Sequence, residues 1–143
     1  MPQTSSPRAP PHPAEPPVAN KVILVVDDEP LIVEVLALVL QSEGYTVHSA
    51  TTGVAALEWL GEHRADLVLL DFMMPGMDGG AVGRVLRGRP GGAGLAIVIS
   101  SALPERTIRE RFANYDAFLQ KPYEMDRLLQ AISRLLAGHQ AGG

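Results

Sequence analysis

Four stretches of this chain end in residues able to do chemistry together. The run VILVV is followed at once by Asp27, Asp28 and Glu29, and LVLL is closed by Asp71. Ser101 follows AIVIS, and Lys121 follows AFLQ. Carboxylates a few ångströms apart repel one another, and an apolar neighbour does nothing to relieve them. A bound cation, a shared proton or plain solvation in a loop would offset that cost, and the residues alone leave all three open. A strand-end carboxylate can ligate a hard cation, attack as a nucleophile, or simply cap the next helix.

The elements that must carry these residues alternate along the chain. Strands are predicted at Val22–Val26, Thr46–Ala50, Leu67–Leu70, Ala96–Ser100 and Ala117–Gln120. VILVV, LVLL and AIVIS are continuously apolar, as strands covered on both faces must be, whereas TVHSA is more polar and belongs near an edge. Helices are predicted at Pro30–Glu43, Gly53–Glu62, Gly79–Arg87, Pro104–Asn114 and Glu124–Ala137. The first carries Leu31, Val35, Leu38 and Val39 at helical spacing and stops at Gly44; the last presents Leu128, Ile132, Leu135 and Leu136 on one stripe. The fourth is polar, with Ile108 and Phe112 as its inward pair. Strand–helix units with short links imply an α/β fold, a five-stranded parallel sheet wound on both faces. Ligands of such sheets bind beyond the carboxyl ends of the strands. All the reactive residues named above fall at that edge.

Composition narrows the function. The 143 residues are 46% hydrophobic and 20% charged, enough for one ordinary domain with a real core. A net charge of -4 argues against direct nucleic-acid binding, and the absence of Cys excludes disulfides, thiol catalysis and cysteine-held zinc. No apolar run is long enough to span a membrane. Seven of the 12 prolines fall in residues 1–20, which read as a disordered arm without the apolar segment of a secretory signal. A cytoplasmic protein is the expectation. His12, His48, His63 and His139 show no metal-ligand spacing.

The motifs VVDDEP, DFMMPGMDG, ISSA and QKPY, in this order and at these strand ends, resemble the receiver domain of two-component response regulators. The resemblance covers residues 21–138, leaving the arm and a short flexible tail at 139–143. It implies a flavodoxin-like strand order of 2-1-3-4-5. It also implies a phosphoacceptor that takes a phosphoryl group from a phosphohistidine, with Mg2+ bound alongside. Asp71 would be the nucleophile, kept exposed by the turn that MMPGMDG makes; alone, it could equally cap the next segment. Mg2+ favours hard oxygens and keeps several waters, so Asp28, Asp71 and the backbone carbonyl of Met73 suffice as direct ligands, with Asp27 acting through water. A solvated helix start would also explain Asp27 and Asp28, and it explains Glu29 best.

Lys121 is one of only two lysines against ten arginines, a choice that suits a compact ammonium reaching one phosphoryl oxygen. Ser101 would donate to another such oxygen, with the small Ala102 leaving room; Ser100 is its rival. Phe118 corresponds to the aromatic that turns inward on activation, although a permanently buried Phe fits equally well. By the same resemblance Met73 and Leu103 flank the path of the hydrolytic water. Both are apolar, which implies a long-lived acyl phosphate. Lys121–Pro122 is expected to be cis.

The pattern also departs from the family. FANYDAF stands where many receivers carry Gly-Ala, and the stretch from Ser101 to Lys121 is short, so the fourth helix should lose a turn. GRPGGAG, residues 88–94, is expected to be mobile. After Ala137 only GHQAGG remains, so no DNA-binding output domain is expected. The implied partners are a histidine kinase or histidine phosphotransfer protein, an unidentified downstream protein, and a second copy on phosphorylation. No membrane or nucleic-acid partner is expected. The role is therefore a signalling receiver rather than an enzyme. Haloacid-dehalogenase-type phosphatases share a strand-end Asp and Mg2+, but need an acid two residues later; Asp71 is followed there by Met73. An unphosphorylated adaptor on the same fold is the remaining alternative.

Overall fold

The computed structural model describes residues 20–142. The arm expected over residues 1–20 lies outside the described residues except for Asn20, whose backbone N–H donates to Gly44 O at 3.3 Å. In chain order the elements are β1 (Val22–Val26), α1 (Pro30–Ser42), β2 (Thr46–Ala50), α2 (Gly53–Glu62), β3 (Leu67–Asp71), α3 (Gly79–Gly88), a 3-10 turn (Gly92–Gly94), β4 (Ala96–Ser101), α4 (Glu105–Arg111), β5 (Ala117–Gln120) and α5 (Met125–Gly142). The strands form a five-stranded sheet in the order β2-β1-β3-β4-β5, parallel throughout. This is the doubly wound α/β architecture, with β2 at an edge as its polarity suggested.

Side chains alternate across each strand, so an apolar run feeds two cores at once. Ile23, Val25, Leu69 and Val98 face α1 and α5, where Leu36, Leu40, Leu128, Ile132 and Leu136 meet them. Leu24, Val26, Leu70 and Ile99 face the other way, onto Ala56, Val82, Leu86, Ile108 and Phe112 from α2, α3 and the α4 region. Thr52 and Asp78 cap α2 and α3 by accepting from Ala55 N and Ala81 N at 3.0 and 2.9 Å.

Several expectations need correction. In α1 the core face is Val33, Leu36 and Leu40, whereas Leu31, Val35 and Leu38 are 74%, 51% and 65% exposed. This helix is apolar nearly all round, so its periodicity fits two phases and only packing selects one. The 88–94 loop, expected to be mobile, is bridged by side-chain bonds. Arg87, inside α3, donates to Gly92 O and Leu95 O at 2.7 and 2.6 Å, and also to Asn114 O and to Asp116. The fourth helix is even shorter than predicted, running only from Glu105 to Arg111 with Pro104 at its N-cap. Phe112 then turns inward over Gly83, where an added Cβ would lie 2.5 Å from its ring. At the other end α5 continues to Gly142, so residues 139–142, expected as a tail, are helical. Gly138 alone is a weak stop when Ala and Gln follow it.

Candidate functional site

The carboxyl edge of β1, β3, β4 and β5 brings the reactive residues together. Strand pairing carries one residue further than the apolar runs suggest: Asp71 pairs with Ser100, and Ser101 with Gln120. Beyond Asp71 the chain folds back on itself, with Gly79 N donating to Phe72 O at 2.9 Å. A Cβ at Gly79 would sit 2.8 Å from Phe72 Cα and 2.9 Å from Asp71 O, so only glycine lets the helix start this close to the acid.

Asp27, Asp28 and Asp71 each offer a carboxylate oxygen, and these oxygens lie within 4.8 Å of one another. Asp27 and Asp71 are buried, at 3% and 5% exposure, so the turn after Asp71 does not keep its carboxylate exposed as expected: Asp71 is the last residue of a fully buried strand. Lys121 Nζ lies 3.1 Å from Asp71 Oδ1 and 3.5 Å from Asp27 Oδ2. The other Asp27 oxygen accepts from Glu29 N at 3.0 Å. Glu29 itself is exposed at the N-cap of α1 and makes no side-chain cap bond.

Burial, and then the charge of Asp27, push the Asp71 carboxyl up to about 6; Lys121 pulls it down by its charge and its hydrogen bond without reversing the rise, and Asp28 adds a further push. Burial works against the Lys121 ammonium, but Asp71 and Asp27 outweigh it and raise its pKa. At neutral pH the site therefore holds an ionised Asp71 beside a protonated Lys121. The acids outnumber the ammonium, which leaves excess negative charge in a partly closed space. Hard oxygen donors with that surplus fit a small divalent cation such as Mg2+.

Ser101 is 1% exposed, and its Oγ accepts from Leu103 N at 3.1 Å. Among the described residues its hydroxyl hydrogen meets no acceptor, so it is free to donate. Ala102 is exposed. Met73 is 52% exposed at the mouth of the site, and Leu103 is half-buried. Phe118 is half-buried and stacks at a tilt on Tyr115, centroids 6.3 Å apart, while the Tyr115 hydroxyl donates to Glu105 Oε2 in α4. Lys121–Pro122 is cis, as expected. His48 and His63 flank Trp59, with ring centroids at 4.8 and 4.5 Å, away from the acids.

Two contacts escaped sequence reasoning. Gln120 reaches the Ala102 and Leu103 carbonyls, and Tyr115 reaches Glu105. The only available signal for the first was a long amide at the last strand position before Lys121. A cavity of about 440 Å3, lined in part by Lys21, Arg64, Asp66 and Arg89, contains none of the acids of the cluster.

A parallel sheet wound on both faces, with acids, a hydroxyl and an ammonium gathered at its carboxyl edge, defines a flavodoxin-like α/β fold with an acidic site suited to a divalent cation. Comparison with known proteins makes this specific. The family model described as response regulator receiver domain matches residues 23–133, and the chain belongs to that family. The response regulator MprA of Mycobacterium ulcerans is 41% identical over 118 residues, covering 80% of this chain and 49% of the relative. The chain thus spans about half the length of such curated relatives. Among solved structures, the signal receiver domain of a signal transduction histidine kinase from Syntrophus aciditrophicus matches with a TM-score of 0.77 at 32% identity, covering 82% of this chain and 91% of that one. The Thermotoga maritima response regulator TrrA, solved in complex with Mg2+–BeF, matches with a TM-score of 0.74 at 34% identity, covering 80% and 98%.

Proposed function

We propose that this receiver domain takes a phosphoryl group onto Asp71 from the phosphohistidine of a histidine kinase or histidine phosphotransfer protein. A carboxylate oxygen of Asp71 attacks phosphorus. The P–N bond breaks, its electron pair returns to the donor imidazole, and an acyl phosphate remains. The observation that carries this reading is the Lys121 ammonium 3.1 Å from Asp71 Oδ1 inside a ring of acids. Before transfer Lys121 holds the nucleophile in place; afterwards the same ammonium can bond a phosphoryl oxygen. Ser101 donates its free hydroxyl hydrogen to a second one.

Asp28, Asp71 and the Met73 carbonyl would hold Mg2+ directly and Asp27 through a water, the bound ion supplying charge neutralisation between the acids and the incoming phosphoryl group. The relative solved with Mg2+–BeF supports this, because beryllofluoride has the tetrahedral shape of a phosphoryl group. New charge on Asp71 draws Ser101 inward, and Phe118 and the α4 region follow, changing affinity for a downstream protein or a second copy. Residues 21–138 act as the responding unit in a cytoplasmic signalling protein. Met73 and Leu103 keep the hydrolytic water unanchored, so the phosphorylated state persists.

The test is incubation with Mg2+ and acetyl phosphate, followed by intact mass. Gain of one phosphoryl group, lost in Asp71→Asn and on chelation, is expected. Sustained turnover of a generic phosphomonoester instead would point to a phosphatase.

A further inference from the structure

Gln120 is the last residue of β5 and pairs in register with Ser101, whose carbonyl accepts from Lys121 N at 2.8 Å. Its Nε2 donates to two successive carbonyls, Ala102 O at 3.1 Å and Leu103 O at 3.3 Å. An amide nitrogen carries two hydrogens, so both bonds are satisfied together. The same turn is closed from within by Leu103 N on Ser101 Oγ. Ala102 is exposed and Leu103 only half-buried, so packing does little to hold this turn. Neighbouring residues therefore divide the work: Lys121 holds the acid, and Gln120 holds the turn that follows the hydroxyl.

We propose that Gln120 is a positioning residue whose amide latches the Ala102–Leu103 turn in its resting place and so opposes phosphoryl capture. The inference rests on the reading of Asp71 as phosphoacceptor. Ser101 Oγ bonds neither Asp71 nor Lys121 in the described residues, and on the proposed function it is drawn inward to a phosphoryl oxygen on Asp71. Ala102 and Leu103 follow it along the chain and draw their carbonyls away from Gln120. The two bonds exist before capture and are lost on it, which biases the equilibrium toward the resting state. Both are near solvent, so the bias is modest.

Gln120→Met keeps the length of the side chain and removes its donors. Because Gln120 is exposed, the variant retains the fold, and Gln120→Ala serves as an independent second variant. Two measurements decide the matter: amide hydrogen exchange of the 101–105 segment in the free protein, and titration with beryllofluoride at saturating Mg2+. The expected result is faster exchange of the segment, and beryllofluoride affinity raised about 3- to 10-fold, the worth of one net hydrogen bond. Affinity for Mg2+ alone stays unchanged, which general loosening of the site would not produce. Unchanged exchange, or beryllofluoride affinity equal to or below wild type, overturns the latch while leaving the phosphoacceptor reading intact. A wild type that neither binds beryllofluoride nor accepts phosphoryl from acetyl phosphate overturns both.

Discussion

Asp71→Asn should make the metal-free protein more stable at neutral pH, although it removes a salt bridge. The folded carboxyl sits at about 6 against an ordinary 3.8. At about 1.4 kcal/mol per pH unit, its ionisation costs the folded state about 3 kcal/mol. That figure already contains the attraction of Lys121, since Lys121 is one of the causes that set the value. Water around the mouth of the site trims it to about 2 kcal/mol. The sign follows from proton binding. A folded pKa above the unfolded one means the folded protein holds the proton more tightly, so the cost is absent below about pH 4, grows as pH rises toward 6, and is complete above it. Asn is neutral at every pH and escapes the cost. Urea unfolding with a chelator at pH 7.5 and pH 4 measures the difference, provided both proteins share one m value. The variant should be more stable by about 2 kcal/mol at pH 7.5 and nearly equal at pH 4. A variant less stable than wild type at pH 7.5, or a gain that does not shrink on acidification, would refute the repulsion reasoning.

Asp28→Asn should act in the same direction but more weakly, by about 0.5 kcal/mol in metal-free urea melts, because Asp28 is partly exposed and contributes least to the push on Asp71. Mg2+ should stabilise wild type more than either Asn variant, read as a shift in urea midpoint. Gly83→Ala forces a methyl to within 2.5 Å of the Phe112 ring. It should cost about 1–3 kcal/mol despite the better helix former, and a neutral result in the same melts would show that the α4 region yields easily. Met73→Asn combined with Leu103→Glu should speed decay of the phosphorylated protein, followed by intact mass over time. Unchanged decay, or wild-type decay within seconds, would show that water exclusion does not control the lifetime.

The sheet and its reactive edge were legible because buried parallel strands are continuously apolar and end abruptly in polar residues. VILVV, LVLL and AIVIS put Asp27, Asp71 and the Ser100–Ser101 pair at strand ends, although the runs alone did not choose between the two serines. The face that α1 turns inward was not legible, since Leu31, Val35 and Leu38 are as apolar as Val33, Leu36 and Leu40, and only contact with β1 and β2 chooses between them. The bridging of the 88–94 loop escaped for another reason. Arg87 reaches Asn114 and Asp116, 27 and 29 residues away, and no local periodicity records such a bond. Gln120 is a similar case: its carbonyl partners are 17 and 18 residues distant and are brought near only by strand register.

The most direct test of the central claim is to locate the modified residue chemically. Wild-type protein is incubated with Mg2+ and acetyl phosphate, the acyl phosphate is trapped by borohydride reduction, and the peptides are mapped by mass spectrometry. Asp71 is expected to be converted to homoserine, dependent on Mg2+, with no conversion at Asp27, Asp28 or Glu29. Trapping at one of those acids instead, or no trapped residue under conditions that fully label another receiver domain, would contradict the claim.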